Sequence, residues 1–515
     1  MNGAESLALT LKLNGVDICF TNPGTSEMHF VAALDRTNAL RCVLGLQENI
    51  VTGAADAYYR MTGKPAATLL HLGPGLANGL ANLHNASKAE SGIVNVVGDH
   101  ATYHLQYNAP LTSDVEGIAG AVSDWVKTSP TAQHIAADGA EAVRQASTHP
   151  GRIASLILPA DSAWNEGTQP VKAAAANTPA APSAETVEKL ARALASGEPA
   201  GLFLKGAALF GRGLELAGKV AAKTGAKLFA PTSSARMDRG AGRVVVDRVP
   251  YVVAQALERL AGLKHMIGVG DTEPVAFFAY PEKPSRVVPE DCQVQQLSRA
   301  EEDGVKALEM LVEALDATGT PPALAEKRAD EPLPTGPLDQ NAIAATVAQL
   351  MPENAIVIDE SISSGRQLNW QTAGAGPHSW LSICGGAIGA GLPLAVGAGI
   401  ACPDRKIVGL QADGSGMYTV QGLWTLAREN VDATIVVYAN RAYKILQGEM
   451  AAVGVETPGP VARDMFGLDR PDLDWVSIAR GLGVDAVRVD DAEAFVDAFQ
   501  RGLATPGPYL IEAAI

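Results

Sequence analysis

The sequence predicts three α/β domains, each built on a doubly wound parallel sheet. Short apolar runs of strand length alternate with helical patterns along the whole chain, as in parallel sheets whose strands are joined by helices. Two segments with the composition of exposed connections, Gln169–Pro182 and Gly319–Pro337, interrupt this alternation. A chain of 515 residues is long enough for roughly three domains. We therefore expect domains at residues 1–168, 183–318 and 338–515.

The predicted strands are apolar runs followed by polar residues or glycine. They are Asp17–Thr21, Ala66–His71 and Ile93–Val97 in the first domain, Ala200–Leu204, Lys227–Ala230 and His265–Val269 in the second, and Ala355–Ile358, Ile407–Leu410 and Thr434–Tyr438 in the third. Between the last two strands, Thr419–Glu429 has helical spacing, which predicts a strand, a helix and a parallel strand in succession.

Composition and charge exclude several classes of protein. The chain is 47% apolar and 19% charged, which is ordinary for a soluble globular protein. Its net charge of −16 argues against a nucleic acid or an anionic membrane as a partner. The five cysteines show no metal-ligand spacing, which fits a reducing compartment. Neither a signal-peptide pattern nor a long uninterrupted apolar segment is present, so we expect a cytoplasmic protein.

Two polar residues are expected at the carboxyl edge of the third sheet. Asp413 follows the apolar run Lys406–Gln411, and Asn440 follows the run Ala433–Tyr438. Open α/β sheets bind ligands at this edge. A carboxylate, an amide and a tight glycine turn suit Mg²⁺ and a diphosphate, because Mg²⁺ prefers oxygen ligands and shares them with substrate phosphates. An ordinary strand-to-helix loop is the alternative interpretation.

The turn after this aspartate has a composition that suits a phosphate. Gly414 would let the backbone approach the phosphate closely, and Ser415 could donate to it at the start of the following helix. The Asp and Asn pair resembles the thiamine diphosphate signature of the superfamily of pyruvate decarboxylase, benzoylformate decarboxylase and acetolactate synthase. Ala412 and Ala439 replace a Gly and an Asn of that signature, while both metal-binding side chains are kept. The resemblance implies that the Ala442 carbonyl completes the metal shell.

The segment Thr21–Glu27, after the first predicted strand, is expected to form a tight turn. Ser26 or Thr25 could cap the next helix there. The segment also resembles the Asn-Pro-Gly-Ser turn of benzoylformate decarboxylase, which implies that Thr25 faces the substrate.

Glu48 stands just ahead of a helix of small residues, Val51–Arg60. On its own, a glutamate at this place is a partner for the helix dipole. The surrounding pattern resembles the glutamate helix of the same superfamily. That resemblance implies that Glu48 hydrogen-bonds the pyrimidine ring of the cofactor and drives removal of the thiazolium C2 proton, a task for a positioned carboxylate.

His71 ends a strand-like run and could be a structural histidine. The segment that it begins resembles the His-x-x-x-Gly-x-x-Asn segment of benzoylformate decarboxylase, which implies proton transfer at the substrate. The second catalytic histidine of that enzyme has no clear match near Asp271–Tyr280. Phe277, Phe278 or Tyr280 is expected to line that space instead.

Two segments of the third domain resemble loops that contact the cofactor. Asp359–Ser364 resembles the diphosphate-contacting loop of benzoylformate decarboxylase, with Ser363 as the expected donor. Gly385–Pro393 resembles the loop under the cofactor, which implies that Ile388 lies between the two rings and that Gly386 approaches the pyrimidine. A strand end with a serine-rich helix cap is the alternative for the first segment.

The resemblance implies a thiamine diphosphate- and Mg²⁺-dependent decarboxylase of a small 2-oxo acid, and His71 favours this outcome. Tyr443 is expected to contact the cofactor as well. The alternatives are an acetolactate synthase-like carboligase that forms acyloins, and a catalytically weak homologue that only binds the cofactor. Flavin (FAD) binding stays open but is not favoured, because Gly206–Gly213 departs from the dinucleotide fingerprint. We expect a homodimer or homotetramer with active sites shared between subunits.

Overall fold

The computed structural model describes all residues, Met1 to Ile515. It contains three sheets, and the first is formed by six parallel strands in the order β2-β1-β3-β4-β6-β5. These strands are β1 (Ile18–Thr21), β2 (Arg41–Leu44), β3 (Ala66–Leu70), β4 (Ile93–Asp99), β5 (Trp125–Thr128) and β6 (Ile153–Pro159). The helices around them are α1 (Gly3–Leu13), α2 (Met28–Thr37), α3 (Glu48–Thr62), α4 (Leu72–Lys88), α5 (Val115–Gly120), α6 (Ile135–Ala146) and α7 (Ala160–Trp164).

The second sheet has five parallel strands in the order β10-β8-β7-β11-β12. They are β7 (Ala200–Leu204), β8 (Lys227–Ala230), β10 (Asp247–Arg248), β11 (His265–Val269) and β12 (Gln293–Ser298). The strand β9 (Met237–Arg239) comes from the same part of the chain but pairs elsewhere. The helices of this region are α8 (Ala184–Leu194), α9 (Gly211–Thr224), α10 (Val253–Leu260) and α11 (Gly304–Ala314).

The third sheet has seven strands in the order β17-β18-β16-β15-β13-β14-β9, and its β9 edge is antiparallel to β14. Its own strands are β13 (Ile356–Glu360), β14 (His378–Ser382), β15 (Ile407–Ala412), β16 (Ala433–Ala439), β17 (Asp485–Val489) and β18 (Tyr509–Ala514). Its helices are α12 (Gln340–Leu350), α13 (Leu368–Gln371), α14 (Gly391–Ala401), α15 (Asp413–Gly416), α16 (Gly422–Arg428), α17 (Lys444–Ala452), α18 (Pro460–Phe466), α19 (Trp475–Gly481) and α20 (Ala492–Ala504).

The predicted fold class is confirmed: the chain forms three α/β units with parallel sheets. Neither of the two predicted connections contains a helix or a strand. The exact limits of the three domains stay predictions. No helix has both the length and the apolar character needed to cross a membrane.

The first and third domains share one apolar core where α3 packs against α14. The two helices touch so closely that a Cβ at Gly53 would lie 2.5 Å from Pro393 Cβ, and one at Gly397 would lie 2.0 Å from Ala54 O. This contact explains why α3 is a helix of small residues, since larger side chains would separate the two helices. The buried ion pair between Arg60 and Asp56 lies at one end of this interface.

Candidate cofactor site

The first sheet gathers three predicted site residues at its carboxyl edge. Thr25 follows β1, Glu48 follows β2 and His71 follows β3, and these three strands are neighbours. The strand order reverses between β1 and β3, which is where doubly wound sheets form a ligand crevice. A Cβ at Gly75 would lie 3.0 Å from both Glu48 Oε1 and His71 Cβ. Glu48 and His71 therefore lie on either side of this glycine.

A buried carboxylate holds the His71 imidazole. Nδ1 of His71 lies 2.8 Å from Oε2 of Glu27, which is 2% exposed. Glu27 also accepts hydrogen bonds from Gly24 N at 2.8 Å and from Ser26 Oγ at 2.6 Å. Nε2 of His71 has no hydrogen bond within the chain, so it is the nitrogen available to a ligand.

The expected helix cap in this turn is wrong. A short 3₁₀ helix, Thr25–Glu27, follows Gly24, and neither Thr25 nor Ser26 caps it or the following α2. The Ser26 hydroxyl donates to the Glu27 carboxylate instead. Thr25 is exposed, as a residue that faces a ligand space must be.

Glu48 is the first residue of α3 rather than a residue ahead of it. Its side chain is buried and accepts a hydrogen bond from Asn78 Nδ2 at 3.0 Å. The neighbouring Gln47 caps the helix by accepting from Asn49 N at 2.6 Å. Because only one side chain donates to Glu48, the carboxylate keeps acceptor capacity for a ligand.

The third sheet places Asp413 beside its reversal point, between β13 and β15. Its Oδ1 accepts from Gly414 N at 2.8 Å, and its Oδ2 accepts from Arg441 N at 2.7 Å. Burial raises the pKa of Asp413 above its ordinary value, against the effect of these N–H donors. A Cβ at Gly414 would lie 2.5 Å from the Tyr443 ring, so glycine is needed here for that ring to pack on the turn.

Asn440 lies at the end of β16, beside this aspartate. Its Oδ1 accepts from Ala442 N at 3.0 Å, and its Nδ2 donates to Ser364 Oγ at 3.1 Å. The amide oxygen and the Ala442 segment are thus held together. Ser363, the expected diphosphate donor, makes no side-chain hydrogen bond and does not line the large cavity described below. The neighbouring Ser364 is the serine that contacts the expected metal ligand.

Glu360 organises the loop that carries Ile388. Its carboxylate is buried and accepts from the backbone N–H groups of Gly389, Ala390 and Gly391 at 2.7, 3.1 and 2.7 Å. Burial raises the pKa of Glu360, while these donors act in the opposite sense. The loop therefore has a fixed backbone position at the start of α14.

A hydrogen-bond chain connects this loop to the Asp413 turn. Gln411 Nε2 donates to Glu360 Oε2 at 3.0 Å and to Ser415 Oγ at 2.7 Å. Ser415 Oγ in turn donates to Ala412 O at 3.2 Å. The Ser415 hydroxyl, which has one proton to donate, is therefore engaged within the turn, and its expected donation to a phosphate stays a prediction.

The first domain of the same chain holds the rear of this loop. Asn85 Oδ1 accepts from Gly385 N at 3.1 Å and from Ala387 N at 3.2 Å. Asn82 Nδ2 donates to Gly389 O at 3.1 Å. These bonds come from α4, so the loop is fixed between two domains on one side and stays open on the other.

The open side of the loop lines a cavity of about 900 Å³ between the second and third domains. Gly386, Ile388 and Tyr443 line it, together with Phe277 and Phe278 from the second domain. Gly386 has a φ of 76°, and a Cβ there would lie 2.8 Å from the Phe277 ring. Phe277 and Phe278 thus provide the expected aromatic lining, whereas Tyr280 does not line the cavity and contacts it only indirectly, through a hydroxyl bonded to Glu449.

That hydroxyl belongs to a small cluster at the cavity wall. Tyr280 and Tyr251 donate to the two carboxylate oxygens of Glu449 on α17, each at 2.9 Å. Arg366 lies over the Tyr251 ring, 5.8 Å from its centroid, and forms no ion pair. This part of the cavity wall therefore combines aromatic surface with the hydrogen-bonded Glu449 carboxylate and with Arg366, a cation without an ion pair.

The structure does not bring all predicted site residues together within one chain. Thr25, Glu48 and His71 do not line the cavity, whose walls come from the second and third domains alone. One chain therefore carries two separate groups: the glutamate and histidine of the first domain, and the Asp413 turn with the Ile388 loop.

The crevice of the second sheet is occupied by side chains. Its strand order reverses between β7 and β11, and Lys205 at the end of β7 pairs with Glu90 at 2.8 Å and with Asp271 at 3.7 Å. An ion-pair network thus stands where a doubly wound domain would offer its nucleotide crevice.

The sequence missed four residues that position this site: Glu27, Glu360, Ser364 and Gln411. Each stands within three residues of a predicted site residue. Their partners lie far along the chain, as with Glu27 and His71 or Glu360 and Gly391. A glutamate or glutamine at a strand end gives no signal of such a partner.

The residues present fit Mg²⁺ and a diphosphate. Asp413, Asn440 and Ala442 offer a carboxylate, an amide oxygen and a carbonyl, which is the oxygen chemistry that Mg²⁺ requires. Peptide N–H groups fix both side chains, and a divalent cation would favour the charged form of the buried Asp413.

Comparisons with known proteins define the class. Residues 1–119 match the family described as thiamine pyrophosphate enzyme, N-terminal TPP binding domain, and residues 366–513 match the corresponding C-terminal TPP binding domain. The chain belongs to the thiamine diphosphate-dependent enzymes of the decarboxylase and acetolactate synthase family.

Two curated relatives and one solved structure are similar to this chain over nearly its whole length. The chain is 48% identical to the putative acetolactate synthase large subunit IlvX of Mycobacterium tuberculosis, over 100% of this chain and 99% of that protein. It is 29% identical to benzoylformate decarboxylase of Pseudomonas aeruginosa, over 98% and 96%. A thiamine diphosphate-dependent 4-hydroxybenzoylformate decarboxylase of Rhodococcus jostii shares the fold with a TM-score of 0.85 at 24% identity, over 100% and 99% of the two chains.

Proposed function

We propose that this protein is a thiamine diphosphate- and Mg²⁺-dependent decarboxylase of a 2-oxo acid. The observation that carries the proposal is the placement of His71 beside Glu48, with the imidazole held by the buried Glu27. A carboxylate and an oriented imidazole at one sheet edge supply the two proton-handling groups that such a reaction needs.

In this proposal, Asp413, Asn440 and Ala442 hold the metal ion and, through it, the diphosphate. Gly386, Ile388 and Tyr443 contact the cofactor from the cavity side, with Gly414, Ser415 and Ser363 near the diphosphate. Bound thiamine diphosphate supplies the electron sink that lets CO₂ leave a 2-oxo acid. The chain's own residues bind and orient the cofactor and move protons.

Glu48 has the role of the activating carboxylate. It is buried, stands at the start of a helix and keeps acceptor capacity beyond its bond to Asn78. His71 handles protons at the substrate through its free Nε2, while Thr25 faces the substrate from the adjoining turn. Glu27 orients His71 and so acts as a positioning residue.

In this proposal, the two groups of site residues meet between two chains. The first domain already holds the rear of the Ile388 loop in its own chain, and the cavity in front of the loop lacks first-domain residues. The missing glutamate and histidine then come from the first domain of a second copy. This supports a homodimer with shared sites, and two such dimers can form a homotetramer.

A second function, an acetolactate synthase-like carboligase, is favoured by a specific observation. The relative of 48% identity is a putative acetolactate synthase large subunit, and it matches over the whole length of this chain. A carboligase uses the same cofactor site but joins the acyl group to a second carbonyl compound. The size of the cavity, about 900 Å³, leaves room for either a large acyl group or a second substrate.

The experiment that decides is a panel of 2-oxo acids offered to the protein with thiamine diphosphate and Mg²⁺. Pyruvate, 2-oxobutanoate and benzoylformate are each followed for CO₂ release, and aldehyde and acyloin products are separated by chromatography. Aldehyde as the main product supports the decarboxylase. Acyloin as the main product supports the carboligase and contradicts the decarboxylase. Cofactor binding without CO₂ release from any acid makes the chain a catalytically weak homologue. The matched control is Glu48→Gln, which should release no CO₂ above background.

A further inference from the structure

A pair of short helices projects from the third domain beside the cofactor cavity. α17 and α18 lie in the segment 444–466, and neither helix has a buried residue. The two ends of this two-helix segment are held together, because Tyr443 N donates to Phe466 O at 2.8 Å. The segment begins directly after the turn that contains Ala442, so its base is next to the proposed metal site.

One side chain fastens the body of the two-helix segment to the second domain. Glu449 on α17 accepts hydrogen bonds from the hydroxyls of Tyr251 and Tyr280, each at 2.9 Å. No other side chain of the segment forms a hydrogen bond or an ion pair with the second domain. We call the contact of Glu449 with both tyrosines the Glu449 clamp.

The two tyrosines reach Glu449 from different loops. Tyr251 lies just ahead of α10, whereas Tyr280 lies between β11 and β12. Burial raises the pKa of both tyrosines and Glu449 acts in the same sense, so both hydroxyls keep the proton that they donate. Hydrogen bonds to an ionised carboxylate are stronger than bonds between neutral groups. The Glu449 clamp therefore holds α17 from two directions.

α17 is also a wall of the cofactor cavity. Ile445 and Leu446 in its first turn line this cavity, as does Ile388 of the cofactor loop. No side chain of α17 belongs to one of the apolar cores of the chain. The position of this wall relative to Ile388 therefore depends on the base of the segment and on the Glu449 clamp.

We propose that Tyr251, Tyr280 and Glu449 are positioning residues that select the substrate by the size of its acyl group. The Glu449 clamp fixes α17, and with it the apolar residues of its first turn, so the space beside the cofactor loop has a fixed limit. The inference rests on the proposed function, because it places the acyl group of the 2-oxo acid in this cavity. Release of the clamp lets α17 move outward, which removes contacts from a small acyl group and gives room to a large one.

The first test is amide hydrogen exchange of the full-length protein loaded with thiamine diphosphate and Mg²⁺. The double variant Tyr251→Phe with Tyr280→Phe removes both donor hydroxyls and keeps both rings. We expect amide exchange in α17 to become faster by about tenfold or more, because a helix without buried residues opens readily once it is released. Exchange in the buried α14 should stay as it is.

Tyr59→Phe is the matched control for this measurement. It also removes one tyrosine hydrogen bond, to Pro150 O at 2.7 Å, but within the first domain. Exchange in α17 should therefore equal that of the unaltered protein. Unchanged exchange in α17 of the double variant would overturn the proposal.

The second test compares kcat/KM for pyruvate and benzoylformate. In the double variant, the ratio of the two values should shift toward benzoylformate by about tenfold or more, mainly through KM. A merely structural loss would lower both values by the same factor, and that outcome, or an unchanged ratio, contradicts the proposal. Turnover of no 2-oxo acid by the unaltered protein would contradict the proposed function, and with it the selection of acyl groups, whereas the exchange measurement decides the clamp by itself.

Glu449→Gln tests the clamp from its other side. The amide keeps the size of the side chain but only one acceptor oxygen, so exchange in α17 and the preference between the two acids should change in the same direction and to a smaller extent. This variant decides the question if the double variant does not fold, since Glu449 lies on a helix without buried residues. An exchange rate and an acid preference equal to those of the unaltered protein would exclude Glu449 from this role.

Discussion

Nδ1 of His71 lies 2.8 Å from Oε2 of Glu27, and Glu27 is almost completely buried. The two residues follow neighbouring strands, β3 and β1, at the point where the first sheet reverses its strand order. Because the carboxylate also accepts from Gly24 N and Ser26 Oγ, it has a fixed position and fixes the imidazole in turn. His71 thereby offers Nε2 to the space above the sheet edge.

Glu27→Gln should lower turnover of the 2-oxo acid by about tenfold or more and leave its KM nearly unchanged, because the imidazole loses its orienting carboxylate but the binding surface stays. Steady-state kinetics measure this split. Ser26→Ala is the control: it removes one hydrogen bond to the Glu27 carboxylate, at 2.6 Å, and the longer contact to His71, at 3.3 Å. It leaves the carboxylate and its contact with His71 in place, so it should cost much less. Equal losses in the two variants would contradict an orienting role for Glu27.

Glu48→Gln should bind the cofactor yet activate it poorly, because an amide cannot share a proton with the pyrimidine nitrogen. We expect exchange of the cofactor C2 proton, followed by NMR after quenching, to slow by about 10²-fold or more. Asn78→Ala, which removes the hydrogen bond to Glu48, should show a smaller effect. An exchange rate equal to that of the unaltered protein would exclude Glu48 from this role.

Asp413→Ala should weaken binding of thiamine diphosphate at least tenfold, which corresponds to about 1.4 kcal/mol. The physical reason is the loss of the only carboxylate in the proposed metal shell. Titration with the cofactor at fixed Mg²⁺ measures the effect, and removal of Mg²⁺ by a chelator should mimic it. Asp490→Ala, at an exposed carboxylate elsewhere, is the control. An unchanged titration curve would show that Asp413 does not hold the metal.

Shared sites predict complementation between two inactive variants. Glu48→Gln and Asp413→Ala are mixed under conditions that exchange subunits. A hybrid dimer then contains one site with both defects and one intact site, so part of the activity should return. Formation of the hybrid is verified by native mass spectrometry. If hybrids form and activity stays absent, each chain builds its own site.

His378 predicts a pH dependence of stability. Burial, and then Arg239, lower its pKa from 6.5 to about 4 in the folded protein, so between these values the unfolded chain binds a proton that the folded chain does not. The stabilisation is complete above pH 6.5 and is lost as the pH falls toward 4. Its full size is about 3 kcal/mol, at ~1.4 kcal/mol per pKa unit.

Melting temperatures at pH 7 and pH 5 measure this effect. His378→Gln does not titrate in this range and should flatten the difference between the two pH values. His134→Gln, at an exposed histidine, should leave the difference as it is. A steep pH dependence that persists in His378→Gln would assign it to other groups.

The strands were predictable because each is an apolar run with a sharp polar end. The first was expected at Asp17–Thr21 and lies at Ile18–Thr21. Helix limits were less accurate. The helix expected at Thr419–Glu429 lies at Gly422–Arg428, because a 3₁₀ turn precedes it. Helix ends depend on hydrogen bonds with residues that the local pattern does not contain.

The sequence by itself determined the fold class, the family and the residues with chemistry at the strand ends, because periodicity and short motifs are local properties of the chain. The tertiary structure decided which of them meet. In the folded chain, Glu27 contacts His71, and Glu360 accepts hydrogen bonds from the loop that carries Ile388. Glu48 does not line the cavity next to this loop. These relations join residues far apart in the chain, and they follow from how strands are ordered and domains are packed, which no local pattern records.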